Sequence, residues 1–304
     1  MIERYFSIKE NDSQTYDFQF IRITEDCDKD DTLINELQKS IIREYREPSY
    51  LQRKRRNLDR AGLEDYIRKK VIPDEITNFD LATRYGDFGE IFASLVIQFV
   101  DNKKTFNKLQ WKFNKDKSVF GTDIVSFDSL EEPSEICYYE VKTRENCLNK
   151  EEVSRKKIGD DEIIEKEYIS VIAYKSLEKD MLSDKESILD YMSRFYHATG
   201  DEDISDLFSD LVDGVKSVNK SYEVFIITDS KNLSKDYKSL LTSLNSYPKT
   251  INPLKVTFIF IDSIKQLMTE TWNTIVEHGA VFIEENSLWQ KKSLSLNLNL
   301  DYLV

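Results

Sequence analysis

The chain has 304 residues and carries 56 Asp and Glu against 43 Lys and Arg, a net charge of −13, with 40% of its residues hydrophobic. That length and apolar content can bury the core of one large domain or two modest ones, so a disordered tail is excluded. Its 2 His and 3 Cys, with no Cys-x-x-Cys, argue against a zinc ribbon, a disulfide framework or a Ser-His-Asp triad. His197 and His278 stand without partners at ligand spacing and read as structural or exposed. Chemistry in such a chain must rest on carboxylates and Lys. The longest apolar runs, 91–100 and 256–261, fall short of the roughly 20 residues of a membrane span. The opening Met-Ile-Glu-Arg-Tyr-Phe lacks the pattern of a signal peptide, so a cytoplasmic protein is expected.

In chain order, alternation from Tyr16 to Thr24 predicts a strand. Leu33, Ile34, Leu37, Ile41 and Ile42, at spacings of three and four, predict an amphipathic helix that Pro48 stops. From Arg43 to Lys70 there are ten basic residues against five acidic ones. Arg53, Lys54, Arg55, Arg56 and Arg60 make this a candidate nucleic-acid contact, with a solvated helix face or an acidic partner's docking surface as the alternatives. Thr77-Asn-Phe-Asp80 is a capping pattern opening a helix whose apolar residues from Phe79 to Phe99 predict deep burial. Lys108–Phe113, Gly121–Phe127 and Ile136–Arg144 read as three strands of an antiparallel meander. A mostly helical region is expected from Lys150 to about Asn219, with nine acids against two bases between Leu182 and Asp213, read as a solvated surface. Tyr222–Thr228 and Lys255–Asp262 read as buried strands, each followed by a helix, the last opened by a Ser263-Ile-Lys-Gln266 capping box. Strict alternation in Ser293–Leu300 predicts an amphipathic edge strand.

The chemistry concentrates in Gly121-Thr-Asp123 and Tyr138-Tyr-Glu140-Val-Lys142. On a strand, Glu140 and Lys142 share one face and Val141 points to the other. A hairpin across Asp128–Glu135 would bring Asp123 beside them. Two carboxylates and the Val141 carbonyl offer hard oxygen ligands for Mg2+ or Mn2+. Glu90, on the buried helix within Gly86-Asp-Phe-Gly-Glu90, can complete the cluster, with Asp87 a weaker candidate, and Gly86 and Gly89 permit close helix–sheet packing. Phosphodiester cleavage needs this set: a metal to acidify water and neutralise charge, and an ammonium to stabilise the phosphate. Glu-x-Lys occurs once in the chain, at Glu140, whereas Asp-x-Lys occurs at Asp101, Asp229 and Asp236 without a paired upstream acid.

An acidic helix, a Gly-x-Asp strand and a Glu-x-Lys strand in this order resemble the PD-(D/E)XK nuclease superfamily. More narrowly, Arg84-Tyr-Gly-Asp-Phe-Gly-Glu90, Gly121-Thr-Asp123 and Tyr139-Glu-Val-Lys-Thr-Arg144 resemble the HamA family, the nuclease subunit of Hachiman anti-phage defence. The likeness runs by element order from about Thr77 to Asp262, with Gly-Thr-Asp in place of the literal Pro-Asp. It implies metal binding by Asp123 and Glu140, water activation and phosphate stabilisation by Lys142, a helix-borne acid in Glu90, DNA as substrate, and a superfamily-2 helicase partner, HamB. No Gly is followed by Lys, so any ATP-driven step belongs to another subunit.

The expected fold is an α/β, restriction-endonuclease-like PD-(D/E)XK core: a mixed sheet flanked by helices over 77–304, with a helical insertion at about 150–219. A strand and the basic helical region, 1–76, precede it. The expected activity is Mg2+-dependent, largely sequence-independent DNA cleavage in phage defence. A non-catalytic DNA- or helicase-binding adaptor and a sequence-specific restriction-type endonuclease stand as alternatives.

Overall fold

The computed structural model describes residues 4–11, 16–27, 30–112, 115–116, 121–158, 161–182 and 187–285. It begins with strands β1 (Phe6–Asn11) and β2 (Gln19–Glu25) and helices α1 (Asp31–Tyr45), α2 (Pro48–Asn57) and α3 (Arg60–Tyr66), the last running into a π-helical turn at Ile67–Val71. The long α4 (Asn78–Val100), β3 (Lys104–Asn107), β4 (Ile124–Phe127) and β5 (Glu135–Arg144) follow. A hairpin of β6 (Glu151–Ile158) and β7 (Asp161–Glu167) then leads to α5 (Ile169–Leu182), α6 (Ser187–Thr199) and α7 (Glu202–Val212). The described chain closes with β8 (Asn219–Asp229), α8 (Lys238–Ser246), β9 (Leu254–Ile261), α9 (Ile264–Asn273) and α10 (Ile275–Glu284).

Seven strands form one mixed sheet in the order β1-β2-β9-β8-β5-β4-β3. β2, β9, β8 and β5 run parallel, whereas β1 and the β3-β4-β5 meander pair antiparallel. Strand alternation divides the core between the two faces of this sheet. Tyr139, Val141, Phe225, Ile227, Ile259 and Ile261 pack with α1, α4, α9 and α10. Ile136, Tyr138, Val224, Ile226, Val256 and Phe258 pack with α5 to α8. Segment 1–76 is no separate body, because β2 pairs with β9 and Leu37, Ile41 and Ile42 of α1 lie in the same core cluster as α4.

Helix α4 starts where Thr77 and Asp80 cap each other: the Asp80 amide donates to Thr77 Oγ1 (3.2 Å) and the Thr77 amide to Asp80 Oδ2 (2.8 Å). From Asp87 to Ile97 every residue of α4 is buried, because α1 and the sheet cover it from opposite sides. Gly89 permits the approach to the sheet: a Cβ there would lie 1.8 Å from Thr143 Oγ1 on β5. Gly86 has open space and plays no such part.

Four expectations are corrected. The strand expected at Lys108–Phe113 is instead a 3-10 turn, Lys108–Trp111, preceded by β3; the Asn107 side chain accepts from the Leu109 amide at 2.9 Å and turns the chain out of the sheet. The region expected to be helical from Lys150 opens with the β6-β7 hairpin, bulged between Glu152 and Ser154, whose few apolar residues hide its period of two. Pro48 does not merely stop a helix, since it is the first residue of α2, where its missing N–H costs nothing. Ser263 caps α9 through the Gln266 amide (3.2 Å), but the Gln266 side chain turns forward to Glu270, so the box is half made. The acidic stretch does carry exposed Asp190, Asp201, Glu202, Asp203, Asp206 and Asp213. Ser293–Leu300 lies outside the described residues. No helix among the described residues is long and apolar enough to cross a membrane.

Candidate active site where strand β4 leaves β5

β4 pairs with β5 only from Ile136 to Tyr139, with Ile124 opposite Tyr139. Beyond Tyr139 the edge of β5 facing β4 loses its strand neighbour, and the buried Val141 amide would be left without a partner. Asp123, one residue ahead of β4, fills that place: its Oδ2 accepts from Val141 N at 2.8 Å, while its own amide donates to the Tyr139 carbonyl at 3.2 Å. Gly121 makes the approach, with φ at 104°, a left-handed conformation that favours glycine. The Gly-Thr-Asp pattern is thus a backbone requirement that delivers one carboxylate to the end of β5.

Glu140 and Lys142 extend from β5 on one face as their spacing predicts, Val141 on the other, and the two form an ion pair at 2.5 Å. Glu140 is 2% exposed. Burial and the neighbouring Asp123 charge push its carboxyl up to about 7, against the pull of Lys142 and Lys108. Burial works against the charge of Lys142, but Glu140 and Asp123 outweigh it and hold the ammonium above its ordinary range. The Lys142 side chain is the most open of the group, at 24% exposed, so it is the member of the cluster that solvent reaches most.

Glu90 reaches the same place from α4. Its burial, together with the charges of Asp123 and Asp87, pushes its carboxyl well above the usual range, with Lys108 opposing. One of its oxygens, Oε2, is buried without a hydrogen-bond partner. The structure therefore brings Glu90, Asp123, Glu140 and Lys142 together from three separate segments, as the sequence suggests. The Val141 carbonyl belongs to the same strand segment, its amide already taken by Asp123.

Two lysines that sequence reasoning missed complete the electrostatics. Lys108 Nζ is bound to Asp123 Oδ1 and lies 3.6 Å from Glu90 Oε1, and the two acids hold the ammonium well above its ordinary range despite its burial. Lys112, four residues on, donates to Asp87 Oδ2 at 2.5 Å, and the Tyr45 hydroxyl donates to that same oxygen. Asp87 is thus taken up in a buried structural pair, which explains its weaker candidacy. The local sequence hides both lysines' role, because Lys108-Leu109-Gln110-Trp111-Lys112-Phe113 alternates polar and apolar as a strand would. Asp180 on α5 is a further carboxyl near the site, pushed up by burial and then by Asp123.

The donor set suits a hard divalent cation, since it consists of carboxylate oxygens, one of them unpartnered. Yet among the described residues no three His, Cys, Asp or Glu side chains stand close enough together to hold a metal ion. The Lys108 ammonium lies between Glu90 and Asp123 instead. The basic candidates Arg53, Lys54, Arg55, Arg56 and Arg60 are carried by α2 and α3, which pack on α10 rather than on β5. Arg53, Arg55, Arg56 and Arg60 are exposed, whereas Lys54 lies over the rings of Tyr50 and Tyr66. The three cysteines are free, and His278 shares a hydrogen bond with Gln38 at 2.9 Å. A cavity of about 580 Å3 farther along α4, lined by Arg43, Ser94, Gln98 and Lys104 among others, contains none of the site side chains.

No curated protein matches the chain. The family model HamA matches residues 2–271, which takes in both the strands and helices of segment 1–76 and the whole of the Glu90–Asp123–Glu140–Lys142 cluster. With that coverage the chain belongs to the HamA family, the HamA of Hachiman defence.

Proposed function

We propose that this HamA protein is a divalent-metal-dependent DNA endonuclease of PD-(D/E)XK type, the effector of a complex with the helicase HamB. The observation that supports the reading is the convergence of Glu90, Asp123, Glu140 and Lys142 on the edge of β5 that β4 leaves open beyond Tyr139. Asp123, Glu140 and Glu90 would hold the cation, Mg2+ or Mn2+, with the Val141 carbonyl as a further oxygen donor. A cation so bound supplies acidification of water and neutralisation of charge at the phosphate.

The chain's own groups do the rest. Asp123 is fixed through the Val141 amide, so its carboxylate is already oriented before substrate arrives. Lys142, the open side chain of the cluster, places its ammonium where the scissile phosphate gathers negative charge in the transition state. Glu140, buried and paired with Lys142, orients that ammonium. The exposed arginines of α2 and α3 supply sequence-independent contacts to the DNA backbone or to the helicase.

Purified protein, alone and with its helicase, incubated with plasmid and linear DNA and Mg2+, tests the reading. Cleavage should vanish with EDTA and in Glu140→Ala and Lys142→Ala. Activity unchanged in both variants refutes the site assignment. Discrete fragments in place of a smear point to a restriction-type enzyme, and binding without cleavage to an adaptor.

A further inference from the structure

Lys108 lies on a turn where the sequence suggested a strand, and no part of the nuclease reading uses it. Its side chain is 10% exposed, as is that of Glu90, while that of Asp123 is 6% exposed. Its ammonium is bound to Asp123 Oδ1, lies 3.6 Å from Glu90 Oε1 and reaches the Gly121 carbonyl at 3.4 Å. A buried positive charge ringed by two carboxylates and a backbone carbonyl has the surroundings that a bound divalent cation takes up in such a site. An ammonium bound to Asp123 Oδ1 and close to Glu90 Oε1 takes the oxygens that a cation would need and adds a like charge beside it, so the two compete for one pair of carboxylates.

We propose that the Lys108 ammonium is a built-in competitor for the divalent cation: the site loads metal only when Lys108 leaves the Glu90–Asp123 pair. One independent feature supports this: the buried Oε2 of Glu90 has no hydrogen-bond partner, so Lys108 satisfies only part of what the pocket offers. The lysine sits on a short, anchored element, so the ammonium rather than the backbone is what moves: Leu109 beside it is fully buried in the core. Lys108–Trp111 is a single 3-10 turn, joined to β4 at this point by the Lys108 amide to the Asp123 carbonyl (3.3 Å). Its second anchor is the Lys112–Asp87–Tyr45 contact four residues on. Rotation of the Lys108 side chain out of the pair, driven by a partner or by DNA, would remove the ammonium and free both carboxylates at once, which couples metal loading to engagement. In such a scheme the apparent metal affinity falls in proportion to the fraction of molecules with Lys108 withdrawn.

This inference rests on the metal-nuclease reading, and the experiment separates the two. Mn2+ binding to the full chain is measured by electron paramagnetic resonance, with no DNA present, for the wild type, Lys108→Met, Lys108→Arg and the double variant Lys108→Met/Asp123→Asn. If Lys108 is withdrawn in about a tenth of molecules or fewer, Lys108→Met binds Mn2+ about tenfold more tightly or better, and Lys108→Arg stays weak. A second measurement uses the wild type alone and so does not depend on the variant folding. Acetylation of Lys108 by an amine reagent, read by peptide mass spectrometry, should rise several-fold on adding Ca2+. Equal or weaker Mn2+ affinity in Lys108→Met, or Lys108 acetylation unmoved by saturating Ca2+, overturns the competition while leaving the nuclease reading intact. Folded Lys108→Met with no Mn2+ binding that depends on Asp123 overturns the metal-nuclease reading itself.

Discussion

Replacing Gly89 with Ala sets two effects of opposite sign against each other at the seam that builds the site. Alanine is the better helix former by roughly 1 kcal/mol, so propensity alone makes Gly89→Ala stabilising in the middle of α4. The added methyl, however, would lie 1.8 Å from Thr143 Oγ1, 3.1 Å from Thr143 Cβ and 3.7 Å from Val141 Cγ1. Thr143 is β-branched and 5% exposed, so its side chain has little room to rotate away. Relief then requires α4 to lift from β5, an overpacking cost of about 3 kcal/mol at the upper end of the usual range. The net expectation is a loss of about 2 kcal/mol, or roughly a 3 °C drop in melting temperature for a chain of this size. Because Glu90 follows Gly89 directly and Val141 anchors Asp123, the same lift separates the carboxylates, and cleavage should fall more steeply than stability. Urea unfolding followed by circular dichroism reads the first effect and plasmid nicking the second. Gly89→Ala combined with Thr143→Ala removes the worst contact and should recover most of the stability. A single variant as stable as the wild type, or more so, would show that α4 does not press on β5 as described.

Glu223, 1% exposed, accepts from Thr257 Oγ1 at 2.5 Å and lies 3.1 Å from Lys255, with Asp101 beyond at 3.4 Å from the same ammonium and Cys137 close by. Burial pushes its carboxyl up to about 7, against Lys255 and with Asp101 adding to the rise. Since its value in the unfolded chain is about 4.3, its contribution is fully present below that pH and is lost as pH rises through 7. This amounts to about 4 kcal/mol at ~1.4 kcal/mol per pH unit. Glu223→Gln should flatten the fall of stability between pH 5 and 8; an unchanged pH profile contradicts the assignment. Tyr45→Phe removes the hydroxyl that donates to buried Asp87 and should cost about 1–3 kcal/mol in urea unfolding. A loss under about 0.5 kcal/mol would mean that Lys112 satisfies Asp87 alone. Charge reversal at exposed Arg55 and Arg56 should leave stability within about 0.5 kcal/mol. It should also weaken DNA binding and lower its salt dependence by about one log unit per lost phosphate contact. An unaltered salt slope, with helicase binding equally unaltered, returns α2 to a solvated face.

Local chemistry determined much of this protein from the sequence alone. The Thr77–Asp80 box, the period of α1 and the apolar length of α4 each follow from bonds or faces within a few residues. Alternation alone places Glu140 and Lys142 together and Val141 opposite them, and scarcity of His directs attention to carboxylates and Lys. Tertiary structure decided what depends on neighbours far along the chain. The turn at Lys108 took the place of an expected strand because Asn107 caps it and because Lys108 and Lys112 find buried acids on α4 and ahead of β4. The β6-β7 hairpin escaped notice because charged side chains on both strands mask alternation. The sequence alone groups Glu90, Asp123 and Glu140 by an expected hairpin and a buried helix, without the contacts that hold them. Only the early end of β4, which leaves the Val141 amide to Asp123, and the glycine contact that seats α4 on β5 make them one site, with a lysine in its midst.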